Sequence, residues 1–222
     1  MSRRTFTEAW EAVAAVDGWM THGQAQALYD AAARVPAGGR IVEIGSFRGR
    51  STIVLASAAA DGVEIVAIDP HAGNDRGPQE IDGFADAASE DHDLFLANLS
   101  AAGVADRVRH VRAFSDVAHG EVADPIDVLY VDGAHRYAPA RADIRDWGRR
   151  VGDGGALLIH DSFSSIGVTL AIAAQQASRA ADESVNRVLG SARGAINAQL
   201  AGGAAGLTEA ATAFADNAAF FA

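Results

Sequence analysis

The 222-residue sequence has no cysteine and no lysine. Without thiols it has neither disulfides nor thiolate metal sites, so its stability must come from a packed core, for which one domain of this length is large enough. No apolar run approaches the roughly 18 residues of a membrane-spanning helix. Positive charge is scarce: 18 basic residues stand against 29 acidic ones, a formal net charge of −11. Nucleic-acid phosphates are neutralised by clustered basic side chains, so this balance argues against a nucleic-acid partner and for a neutral or cationic one. Arg3 and Arg4 are followed by Glu8 and Glu11 in an amphipathic pattern rather than by a leader-like apolar segment, and the chain is expected in the cytoplasm, away from membranes. The alanine-rich, lysine-poor composition fits a high-GC bacterial genome.

What is present is a loop. Ile41-Val42-Glu43-Ile44-Gly45-Ser46-Phe47-Arg48-Gly49-Arg50-Ser51 reads as a buried strand that ends at Gly45, turns through Gly49 and enters a helix at Ser51. A dinucleotide loop places a second glycine two residues after the first. Here that position is Phe47, and an acid, Glu43, precedes Gly45 by two. A second apolar run, Val63 to Ile68, ends in Asp69, about twenty residues after Gly49, where a strand-tip carboxylate reaches ribose hydroxyls. This pattern resembles the first motif of class I S-adenosylmethionine (SAM) methyltransferases.

Around that unit the spacing predicts helices over Thr7 to Val16 and His22 to Arg34, a cap formed within residues 1–36. Gly18 to Thr21 either lines the cofactor mouth or staples the cap to the core. Pro70 to Glu80 reads as a mobile substrate loop with His71 near the active face, and Gly83 to Ala102 as a helix. Arg107 to Ala113 alternates charged and apolar residues, as a sheet edge does. Phe114 and Ser115 at its tip either meet the adenine or cap the next turn. Ile126 to Asp132 and Ala156 to Asp161 are expected as central strands, joined by a crossover helix bearing Tyr137, Ala140, Ile144 and Trp147. A helix over Gly167 to Ser178 precedes two closing strands, Ser184 to Leu189 and Ala195 to Leu200. Residues 201–222 form an Ala/Gly-rich tail, helical from Leu207, whose Phe214, Phe220 and Phe221 suggest a homodimer. The expected fold is α/β: a doubly wound, seven-stranded mixed sheet in a single domain over residues 1–200.

If the strands ending in Asp132 and Asp161 are neighbours, parallel spacing of about 4.8 Å lets the two acids converge, and they then require a proton, an arginine or a divalent ion between them. His135 follows Asp132 by three residues and His160 precedes Asp161. The segments VEIGSFRGRST, VDGAHRY and HDSF, in this order and spacing, resemble the small bacterial class I methyltransferases typified by the macrocin and rhamnosyl O-methyltransferases, over about Gly18 to Leu200.

That resemblance implies methyl transfer from SAM to a hydroxyl of a sugar or oligosaccharide, with Mg²⁺ or Mn²⁺ beside the sulfonium. The acceptor it suggests is a mannose- or rhamnose-containing actinobacterial saccharide. It implies cofactor contacts from Glu43, Gly45, Ser46, Ser51, Asp69, Ser115 and Asp132, and metal ligation by Asp132 and Asp161. The third ligand is His160 or Ser162, since the chain departs from its relatives at both positions. His135 is the candidate general base. The alternatives are a metal-independent O-methyltransferase acting on a non-sugar small molecule and a SAM-binding protein without chemistry. A nicotinamide-dependent oxidoreductase is disfavoured by Phe47 and by the lack of an evident Tyr-Lys pair.

Overall fold

A computed structural model describes residues 3–72, 84–162 and 165–202. Two N-terminal helices, α1 (Phe6–Ala12) and α2 (His22–Ala33), precede β1 (Arg40–Ile44), α3 (Arg50–Ala58) and β2 (Glu64–Ile68). Then follow α4 (Phe84–Ala101), β3 (Val108–Val111), β4 (Ile126–Val131), α5 (Tyr137–Asp146), β5 (Val151–Ile159) and α6 (Ile166–Gly202). The chain divides into two compact units, Met1–Ile172 and Ala173–Ala222. The described part of the second unit is the continuation of α6, on which Val185 and Leu189 are exposed.

Both cap helices start at a reciprocal capping box, Thr5 with Glu8 and Thr21 with Gln24, which satisfies two end N–H groups in each. Helix α1 is shorter than its apolar pattern predicts. The chain leaves it after Ala12 and turns so that Val13, Val16 and Met20 all enter the core, and the Arg50 guanidinium takes the Val16 carbonyl at 2.5 Å. Leu28 of α2 is fully buried in the same cluster, a burial worth about 2 kcal/mol.

The five described strands are all parallel, in the order β3-β2-β1-β4-β5. The unbroken β-branched and leucine runs of β1, β2 and β4 belong inside a sheet covered on both faces. Strand β3, with Arg109 in partial exposure against Glu64, is the edge expected from its charge alternation. Three expectations are corrected. The described sheet has five parallel strands, not seven mixed. Strand β5, expected to be central, is its other edge. Ser184 to Leu189 and Ala195 to Leu200 are not closing strands but turns of α6, because alanine-rich flanks carry the helix through the intervening glycines, each costing only about 1 kcal/mol. The tail helix expected from Leu207, and most of the loop over Pro70 to Glu80, lie outside the described residues. No helix among the described residues is long and apolar enough to cross a membrane.

Candidate active site

All five strands point their carboxyl ends to one side, and a cavity of about 670 Å³ opens there. Its floor is the glycine loop. Gly45 has φ 85°, and a Cβ on it would lie 2.4 Å from the Asp132 carbonyl oxygen, so only glycine lets the β1 and β4 tips pack together. Phe47 also adopts a left-handed conformation, φ 45°, and is held there by its neighbours: its N–H and that of Ser46 both donate to Asp69 Oδ2 at 2.8 Å. The other Asp69 oxygen accepts the His71 N–H at 2.7 Å. Asp69 thus shapes the loop while facing the cavity it lines.

Glu43 lies beneath that floor, with no exposed surface, and does not line the cavity. Its carboxyl accepts the hydroxyls of Ser51, at 2.5 Å, and Thr52, so the acid braces the first turn of α3. Burial pushes it up to about 7, against the pull of those hydroxyls. Ser46, Ser51 and Gly45 line the cavity. At the mouth Trp19 lies 5.5 Å from the Phe47 ring, while Met20 beside it is buried in the core. The Gly18–Thr21 segment therefore both lines the mouth and anchors the cap. On the far wall Phe114 is largely exposed, and the Ser115 hydroxyl donates to Asp143 at 2.5 Å.

The acids at the tips of β4 and β5 do converge. Because β5 ends at Ile159, His160 and Asp161 sit in a turn, and Asp161 takes φ 54°; strand alternation no longer directs His160 away from the site. His160 Nδ1 is 3.1 Å from Asp132 Oδ1 and 3.3 Å from Asp161 Oδ1. His135 Nε2 is 2.8 Å from Asp161 Oδ2, and the Tyr130 hydroxyl donates to Asp132 Oδ2 at 3.2 Å. Burial and the nearby carboxylates raise the Tyr130 phenol well above its usual range, so it stays a donor. Asp132, His135 and His160 offer one ligand atom each within 4.8 Å of one another, a mixed oxygen and nitrogen set that suits a divalent ion such as Mn²⁺. Asp161 adjoins this set through both histidines. The Ser162 hydroxyl instead donates to the Ile159 carbonyl at 2.7 Å, closing the strand end. The His135 loop is seated on the start of α6, where a Cβ on Gly167 would meet the His135 carbonyl at 2.2 Å.

Two residues escaped the sequence reading. Asp143, almost buried and lining the cavity, is pushed up to about 6 by burial. The available signal was an acid on the apolar stripe of α5, between Ala140 and Trp147. Tyr130 is the other; nothing in a buried strand distinguishes it from a core aromatic.

A doubly wound parallel sheet in this order, with a glycine turn and a strand-tip acid at its first two strands, is the arrangement of a nucleotide-cofactor-binding fold. The sequence agrees: residues 42–162, more than half of the chain, match the family described as methyltransferase domain (Methyltransf_24), and the chain belongs to that family. Solved structures with the same fold include the O-methyltransferase from Bacillus cereus in complex with S-adenosylhomocysteine (SAH), at 19% identity and TM-score 0.56, covering 79% of this chain and 78% of that one. The O-methyltransferase NovP is 18% identical at TM-score 0.54, over 70% and 71% of the two chains. The SAH-bound methyltransferase PaMTH1 from Podospora anserina is 21% identical at TM-score 0.51, covering 71% of this chain but only 62% of that one, less than two thirds of its length.

Proposed function

We propose that the protein transfers the methyl group of SAM to a hydroxyl oxygen of a sugar or glycoconjugate, with a divalent ion at the tips of β4 and β5. The observation that carries this reading is the gathering of Asp132, His135, His160 and Asp161 at one side of a cavity whose floor is the cofactor loop. Asp69 takes the ribose hydroxyls, and Gly45 and Ser46 bring the loop backbone close to the cofactor. Phe114 offers a ring to the adenine, with Ser115 and Asp143 as polar partners beside it.

In the reaction the acceptor oxygen attacks the methyl carbon, the carbon–sulfur bond breaks, and SAH departs. His135 takes the hydroxyl proton. Its Nε2 lies 2.8 Å from Asp161 Oδ2, a contact that stabilises the imidazolium once formed. Asp132, Asp161 and His160 would hold the ion, His135 lying near enough to share a bound water. When bound, the ion supplies Lewis acidity that lowers the pKa of the acceptor hydroxyl. The NovP and Bacillus cereus structures, both described as O-methyltransferases, support oxygen as the acceptor atom.

A metal-independent variant of this chemistry has an observation in its favour: His160 Nδ1 stands 3.1 and 3.3 Å from the two carboxylates, where a proton on it would relieve their repulsion. One experiment separates the two. Labelled SAM is incubated with a panel of mono- and oligosaccharides, with Mg²⁺ or Mn²⁺ and with excess EDTA. Transfer that stops with EDTA and returns with metal supports the full reading. Metal-insensitive transfer leaves His135 and Asp161 as a base pair without an ion, and SAM binding without transfer to any saccharide rules out the sugar acceptor.

A further inference from the structure

On the opposite flank of the cofactor loop, three of the seven histidines meet. His71 follows the tip of β2, His92 lies on α4, and His110 lies on β3 in register with Ala67. Their ring centroids are 5.0 to 5.2 Å apart, and one ring nitrogen from each lies within 4.8 Å of the others. The His71 side chain is all but buried. Nothing in the proposed methyl transfer uses this cluster.

The backbone has already set the tautomers of two rings. His71 Nε2 lies 2.7 Å from the Phe47 carbonyl, to which it donates, and His110 Nε2 lies 3.2 Å from the Asp69 carbonyl. Each donation leaves the lone pair on Nδ1. The buried Nδ1 of His71 has no hydrogen-bond partner. This is the arrangement of metal-ligating imidazoles, in which one ring nitrogen donates to a carbonyl and the other faces the ion. His92 is the half-exposed member; its Nδ1 stands 3.4 Å from Arg112, a long contact on a side chain able to move away. We infer that His71, His92 and His110 form a three-histidine site for a late first-row divalent ion such as Zn²⁺, with water in the fourth position.

Tetrahedral Zn²⁺ holds nitrogens at about 2.0–2.1 Å, hence about 3.4 Å from one another, so nitrogens now within 4.8 Å close by at most about 1.4 Å on binding. His92, on the outer side, supplies most of that movement. The site differs in kind from the one at the tips of β4 and β5. Three imidazoles select Zn²⁺, Ni²⁺ or Cu²⁺ and offer little to Mg²⁺, which prefers oxygen. An ion here would tie the end of β2, α4 and the edge strand β3 together beside the loop that Asp69 shapes.

The test is Zn²⁺ binding by calorimetry to the full, chelator-stripped chain in excess Mg²⁺, for the wild type, His92→Gln, His110→Gln and Asp132→Asn. The expected result is a Zn²⁺-binding event, beside any at the tips of β4 and β5, whose affinity falls more than about tenfold in either histidine variant and is retained in Asp132→Asn. Because His92 is partly exposed on a helix, His92→Gln should fold; SAM binding checks it. For a readout that needs no variant, histidine-ring NMR of the wild type should show the His71, His92 and His110 resonances shifting with Zn²⁺. Binding that is unaltered by His92→Gln, that vanishes with Asp132→Asn, or that leaves those three resonances in place would overturn the site and leave the cluster as aromatic packing around Phe95.

Discussion

The two ends of the carboxyl edge are built on opposite plans. At the tips of β1 and β2 the polar side chains hold backbone: Asp69 takes the N–H groups of Ser46, Phe47 and His71, and His71 and His110 donate to carbonyls. At the tips of β4 and β5 side chains hold one another, through Asp132, His160, Asp161 and His135. A carboxylate held in place by backbone amides makes a fixed cradle for a cofactor that is always the same. Acids and imidazoles that share protons can exchange partners, as proton transfer and ion binding require. Breaking the first region should therefore damage binding and stability, and breaking the second should damage turnover.

The largest effect is expected from the second region. His135→Ala removes the proposed base and should lower methyl transfer by about 10²- to 10⁴-fold while SAM affinity, read by calorimetry, stays near that of the wild type. Asp161→Asn should follow it in direction, with a smaller loss, because Asn can still accept from His135 but no longer stabilises the imidazolium. If His135→Ala lost SAM binding and turnover together, the separation between the two regions would fail.

In the first region, Gly45→Ala forces a Cβ onto the Asp132 carbonyl at a positive φ. Strain and overpacking together should cost about 3 to 5 kcal/mol of stability, visible as a lowered midpoint in urea. Glu43→Gln tests the brace below. With its folded value raised to about 7 from 4.5, Glu43 keeps its proton in the native chain at pH values where the unfolded chain has lost it. Native stability from this group is therefore greatest below about pH 4.5, falls as pH rises, and levels off above about 7, a change on the order of 3 kcal/mol. Glu43→Gln should remove that fall between about pH 4.5 and 7, leaving the fall of the same sign and similar size that Asp143, raised to about 6 from 3.8, contributes at somewhat lower pH. Melting temperatures across about pH 4 to 8 decide it; an unchanged slope would mean Glu43 is ionised in the native chain.

The same division explains what the sequence made legible. The β1 loop, its glycine and the acid at β2 are set by residues close together in the chain, so spacing alone located them. The edge character of β3 was readable from Arg109 and its alternation. The orientation of His160 was not, since it depends on β5 stopping two residues earlier, at Ile159, and on a left-handed Asp161, neither of which has a residue-type signature. Helix α6 was misread for a related reason. Val185 and Leu189 are four apart, as are Ile196 and Leu200, a helical interval, yet Gly190 and Gly194 between them looked like a turn. Glycine ends a helix where tertiary contacts favour another course, and a Cβ at Gly190 would meet nothing within 4 Å.

The smallest expected effect distinguishes the two residues that flank Asp161. Ser162 closes β5 by donating to the Ile159 carbonyl, and the Thr169 hydroxyl in turn donates to the Ser162 carbonyl at 2.7 Å, so its neighbourhood is structural. Ser162→Ala should cost about 1 kcal/mol of stability, the usual net worth of such a bond, and leave the metal concentration for half-maximal transfer unchanged. His160→Gln keeps a polar group of similar reach but loses the imidazole that approaches both acids, so that concentration should rise. A rise in Ser162→Ala with none in His160→Gln would transfer the ligand role to the serine, and with it the boundary between the structural and the chemical parts of this edge.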